Sequence, residues 1–115
     1  EVLEGKNYLE SKEYKLFYTE LSEIFRGYLE NRFHIPALES GTFDLKILLK
    51  GIHIEEKWFN NFFRNCDIVK FAKGVPSNKQ SLLFLNQVRS FIEFHTIEEK
   101  KAQNTDIDYD HINNL

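Results

Sequence analysis

Between Tyr14 and Leu29, apolar side chains recur in steps of three and four: Tyr14, Phe17, Tyr18, Leu21, Ile24, Phe25, Tyr28 and Leu29. Such spacing lines one broad stripe along a helix, because 3.6 residues make a turn. Lys15, Glu20, Glu23, Arg26 and Glu30 fall opposite, on a face suited to water. Ser11 is one candidate N-cap, with Glu13 favourable in the first turn; Asn7 followed by Glu10 is its rival. Pro36 disfavours helical geometry at Ile35, so the helix is expected to end near His34. Gly27 inside the stripe costs about 1 kcal/mol of propensity relative to Ala. Close approach of another helix there is the expected compensation.

Three further segments repeat the pattern. After a loop from Pro36 to Gly41, Thr42 is a good N-cap for a short helix carrying Leu45, Leu48 and Leu49, which Gly51 would close. A third helix is expected from Glu55 and Glu56 onward, with Trp58, Phe59, Phe62, Phe63 and Cys66 on one side. Asp67 ends it or caps another short turn, Ile68 to Lys73, closed by Gly74; a short extended stretch there is the second choice. Ser77 with Gln80 makes a capping box, opening a long helix whose inner face holds Leu85, Val88, Phe91, Ile92 and His95. Glu98 to Lys101 read as its solvated end.

Four amphipathic helices joined by short loops predict an all-α fold. The expectation is a single small bundle with two long helices, near 12–34 and 78–101, framing two short ones packed across them. Residues 1–103 would form this domain and the polar stretch 104–115 a tail. With 11 Phe, 5 Tyr and 1 Trp in 115 residues, the core is large for the length. Fully burying each Phe is worth roughly 1.5–3 kcal/mol of transfer free energy, so stability accounts for most of the aromatic content.

The same composition excludes several classes. A chain with 42% hydrophobic residues and a net charge of -3 lacks the signature of disorder. One Cys excludes an intrachain disulfide framework and any zinc site needing two thiolates from one chain. No apolar run approaches the ~18 residues of a membrane span.

Candidate chemistry is sparse. His34, His53, His95 and His111 are all at least 16 positions apart, and Cys66 is 13 from the nearest of them, so none shows metal-ligand spacing. Cys66 falls on the Trp58/Phe62 stripe, where a thiol is more often inert packing than a nucleophile. Asp106, Asp108 and Asp110 alternate like the start of a calcium loop, but His111 stands where that loop needs Gly and no closing Glu follows. No phosphate loop, nucleophile elbow or catalytic carboxylate pair is present. The reading is a non-enzyme with no cofactor and no metal.

Charge is distributed unevenly. Residues 1–45 carry 5 basic and 9 acidic groups, residues 46–79 carry 7 basic and 3 acidic, and residues 80–115 carry 3 basic and 6 acidic. A cationic middle between anionic ends suits phosphates, anionic headgroups or an acidic protein surface. The helices expected over 42–50 and 55–66 also have the layout of a helix-turn-helix, giving an alternative function as a nucleic-acid binder through residues 42–66. The acidic flanks would repel a duplex and argue against it.

Several segments carry a family resemblance: Phe17-Tyr-Thr-Glu-Leu-Ser-Glu-Ile-Phe-Arg26, Tyr28-Leu-Glu-Asn-Arg-Phe33, Ile35-Pro-Ala-Leu-Glu39, Thr42-Phe-Asp-Leu45 and Asp67-Ile-Val-Lys-Phe-Ala-Lys73. In order and spacing, over residues 8 to 96, they resemble the soluble C-terminal domain of bacterial membrane proteins of the aerotolerance (Bat) operon type. Gly41 and Phe43 depart from that pattern, where Thr and an acidic residue are usual, which bears on where the short helix starts.

The resemblance implies a domain that follows a membrane helix, so a chain opening on Glu1 without Met is expected to be a piece trimmed just after such an anchor. It implies an inner-membrane protein with this domain on the cytoplasmic side, and a lone free Cys is compatible with a reducing compartment. Relatives are encoded beside MoxR-type ATPases and von Willebrand A-domain proteins, which makes these the expected partners. The function expected is a non-catalytic protein-interaction domain docking partners near the membrane. The expected contact residues are Arg64, Lys70 and Lys73 in the cationic middle. Arg26 and Arg32 are expected to pair with Glu30 or Glu39, or to reach carbonyls at the end of the first helix.

Overall fold

A computed structural model describes the backbone over residues 8–113 and side chains over 8–102. Its four helices are α1 (Tyr14–Phe33), α2 (Thr42–Gly51), α3 (Lys57–Lys70) and α4 (Asn78–Asn113), with no strand among the described residues. The chain is therefore an all-α bundle with the four helices its periodicity predicts.

The stripe on α1 buries as expected. Phe17, Tyr18, Leu21, Phe25 and Leu29 are all within the core. Phe25 sits at its centre, fully sealed, with the rings of Trp58, Phe59, Phe62, Phe63 and Phe91 at centroid distances of 5.4–6.1 Å. Those five rings come from α3 and α4. The short α3 thus packs its aromatic face against both long helices, which also touch each other directly, as at Tyr18 and Ser81. Edge and tilted contacts of this kind add about 0.5–1.5 kcal/mol each beyond simple burial. The shorter α2 stays at the margin and anchors itself through Leu45 and Leu49.

The boundaries correct several expectations. Helix α3 runs unbroken through Asp67 to Lys70, so Asp67 neither ends it nor caps a new turn, and Ile68 to Lys70 are helical rather than extended. Gly41, not Thr42, is the N-cap of α2; the Thr42 hydroxyl instead donates to Asp67 Oδ1 at 3.4 Å. A tertiary partner has drawn away the hydroxyl that would otherwise have capped its own helix. Gly51 is the last helical residue of α2, and the left-handed position beyond it falls to His53. At the start of α1 the N-cap is Glu13, while Ser11 Oγ bonds Glu13 and the Tyr8 carbonyl; its rival Asn7 lies outside the described residues. Ser77 does cap α4, its Oγ accepting the Gln80 N–H at 3.0 Å.

Gly27 has open space where a Cβ would stand, so no neighbouring helix compensates for it. The backbone of α4 continues to Asn113 rather than ending near Lys101, because neither Gly nor Pro interrupts the ladder there. The side chains of the expected tail, including Asp106 to Asp110 and His111, lie outside the described ones.

Candidate functional site

Helix α1, the loop over 35–41 and the C-terminal half of α3 enclose an open groove of about 710 Å³. Lys15, Ser22 and Arg26 enter from α1, Thr42 from the start of α2, and Cys66, Asp67 and Lys70 from α3. Each position follows from helix period. Ser22 and Arg26 lie four apart on α1, just off the buried stripe, and Lys70 follows Cys66 by four on α3.

Arg26 organises the floor. Its Nη1 donates to the carbonyls of Ala37 and Ser40, and its Nε donates to Ser22 Oγ at 3.1 Å. The guanidinium stands 6.0 Å from the Phe63 ring centroid. One side chain thereby ties the α1–α2 loop to the bundle. The expected reach to carbonyls is realised, but on the loop that follows α1 rather than on its last turn. Arg32 does likewise at another place, its Nε donating to the His95 carbonyl of α4 at 3.3 Å. Glu30, offered as an ion-pair partner, accepts the Leu38 N–H.

Burial holds Arg26 below its ordinary pKa, against the opposing pull of Cys66 and Asp67. Burial also pushes the Cys66 thiol up to about 12, although Arg26 acts to lower it. A thiol so far from ionising is a poor nucleophile at neutral pH. The Arg26 and Ser22 side chains of the floor are engaged in holding the fold.

The rim is different. Lys70, Phe71, Ala72, Lys73, Gly74 and Val75 form an exposed run, with Phe71 61% and Val75 78% accessible. The Lys70 ammonium lies 5.5 Å from the Phe71 ring centroid. Lys70 therefore sits beside an uncovered aromatic ring at the edge of the groove, with Lys73 two residues further along the same exposed run. Arg64 does not join them. It is exposed on α3 but six positions from Lys70, about 120° away around the helix, and it does not line the groove. The exposed face of α3 that a helix-turn-helix reading would use is Lys57, Asn60, Asn61 and Arg64, its other face being spent on Phe59, Phe62 and Phe63.

The remaining candidates are separate from the groove. His34 and His53 hold left-handed positions after α1 and α2 and are exposed. His95 is half-buried against Phe33, Phe91 and Phe94. Among the described residues, no three His, Cys, Asp or Glu side chains gather as metal ligands would, and no helix is long and apolar enough to cross a membrane. Sequence reasoning missed Phe71 and Val75, because an apolar residue gives no sign of its own exposure. It also missed Arg26 as the organiser of the loop.

No family model, curated protein or solved structure matches the chain.

Proposed function

We propose that the chain is a non-catalytic protein-interaction domain, which docks an acidic segment of a partner protein on the groove rim at Lys70, Phe71 and Lys73. The exposed Phe71 ring beside Lys70, with Lys73 in the same exposed run, carries this reading. An acidic segment with one or two apolar side chains answers both features, covering Phe71 and Val75 while its carboxylates meet the ammonium groups. Arg64 lies to one side of this surface and would extend the contact only for a larger partner. Following the resemblance, the domain would hang on the cytoplasmic side of the bacterial inner membrane by a segment outside this chain. MoxR-type ATPases or von Willebrand A-domain proteins would be its partners.

Reversing Lys70 and Lys73 together to Glu tests the reading. Both side chains are exposed, so the helical signal and melting temperature should hold while capture of those partners falls roughly tenfold or more. Unchanged capture would remove this surface. The nucleic-acid reading, through residues 42–66, predicts salt-sensitive duplex binding at about 50 mM salt, and a flat titration there eliminates it.

A further inference from the structure

A second cleft, of about 350 Å³, opens between the start of α3 and the middle of α4. Its walls are aromatic: Trp58, Phe91, Phe94 and His95. The centroids of Trp58 and Phe91 are 6.2 Å apart, those of Phe91 and His95 4.2 Å, and those of Phe94 and His95 5.0 Å. Phe91 is buried and forms part of the core, whereas Phe94 is 59% exposed, a large ring left uncovered on α4.

Four oxygen-bearing side chains share this lining: Glu56, Asn86, Gln87 and Ser90. Glu56, the exposed N-cap of α3, makes no side-chain cap hydrogen bond, and its charge acts on His95. Gln87 keeps its Oε1 sealed from solvent with no donor. Buried acceptors in folded proteins are nearly always partnered, so a side chain that turned outward to meet an N–H in the cleft would gain a bond it now lacks. Burial, followed by the charge of Arg32, holds His95 below its ordinary pKa, so at neutral pH its ring is uncharged. Arg32 itself is engaged beyond the lining, bonded to the His95 carbonyl and 4.8 Å from the Phe33 ring centroid.

We propose that this cleft binds an organic ammonium group, with Trp58, Phe94 and His95 as its aromatic walls, Glu56 as counter-charge and Gln87 as hydrogen-bond acceptor. Ring faces attract cations, the more so when water is excluded. An anion would meet the Glu56 carboxylate and the negative ring faces, and a neutral apolar ligand would leave both Glu56 and Gln87 unanswered. The cation could come from a free quaternary amine or from a lysine side chain of another protein; the rings and Glu56 serve both, and only the lysine ammonium has an N–H to give Gln87. The inference is independent of the docking surface at Lys70 and Lys73.

Trp58 is the one Trp of the chain, so intrinsic fluorescence reads this cleft directly. The probes are choline chloride and Nα-acetyl-lysine methylamide, with sodium chloride at equal ionic strength as the baseline. A saturable change above that baseline is expected, and Glu56→Gln and Phe94→Ala should each weaken it roughly three- to tenfold. Both side chains are exposed, and unchanged melting curves would verify that the variants fold. Saturation by choline assigns a free amine as the source, and saturation by the lysine derivative alone assigns a protein side chain. Responses indistinguishable from sodium chloride, or saturation that neither substitution weakens, overturn the proposal.

Discussion

Tyr18 donates its phenolic hydrogen to Ser81, across 2.9 Å between α1 and α4, with both side chains almost wholly sealed from solvent. The direction follows from proton counting. Ser81 has one hydroxyl hydrogen, and it goes to the Ser77 carbonyl at 2.8 Å, so the Tyr18–Ser81 bond must take its hydrogen from the phenol. Burial agrees, pushing the Tyr18 phenol up to about 12 and keeping it protonated. Ser81→Ala strands a buried donor and should cost about 1–3 kcal/mol. Tyr18→Phe leaves Ser81 with its Ser77 partner and should cost only about 0.5–1.5 kcal/mol. In urea unfolding the double variant should lose less than the sum of the two. A costlier Tyr18→Phe would mean that the hydrogen runs the other way.

Gly27 lies within α1 with nothing near its missing Cβ. Replacing it by Ala restricts the unfolded chain and creates no clash. Gly27→Ala should therefore raise stability by about 1 kcal/mol, visible as a higher urea midpoint at unchanged slope. A loss of stability would reveal a neighbour that the open space denies.

What the sequence disclosed and what it hid divide along a physical line. The stripes of Phe17 to Leu29 and of Phe59 to Phe63 were legible because helical period is a property of neighbours in the chain, and both are buried. The end of α3 was not, because Asp67 reads locally as a breaker or cap while its carboxylate is engaged by Thr42, 25 residues away. The packing of α3 against both α1 and α4 depends on which rings surround Phe25, and periodicity names a face without naming its partner. Of the proposed surface, Lys70 and Lys73 were visible as charge. The exposure of Phe71 and the loop held by Arg26 arise only when three elements come together.

Ala72 marks a different conflict between local preference and fold. Its φ is 55°, and the N–H groups of Ala72 and Lys73 return to the carbonyls of Val69 and Ile68, the pattern that closes a helix through a left-handed residue. That position suits Gly, yet the nearby glycine is Gly74, which has no positive φ. Ala72→Gly should stabilise the domain by roughly 1 kcal/mol, read from the melting temperature. Gly74→Ala should gain less or lose, since its Cβ would stand 3.2 Å from Ile68 Cγ2.

Cys66 offers a chemical test of the groove floor. With its thiol pushed up to about 12 by burial, the thiolate is scarce at pH 8. Alkylation of the native protein should run at least about a hundredfold slower than in denaturant, where an ordinary cysteine pKa near 8.5 returns. Native rates close to the denatured rate would show that the thiol is neither sealed nor suppressed.

His95 makes the fold sensitive to mild acid. Burial against the rings of Phe33 and Phe91 lowers its pKa from the usual 6.5, and Arg32 lowers it further, with Glu56 and Glu98 opposing. The unfolded chain then takes up the proton at a higher pH than the native imidazole does. The stability owed to neutral His95 is complete above about pH 6.5 and is lost as the pH falls toward the depressed native value. The wild-type melting temperature should therefore drop more between pH 7 and pH 5.5 than that of His95→Phe, which keeps the ring contacts and has no proton to bind. Parallel melting profiles for the two proteins over that interval would show that His95 carries no such linkage.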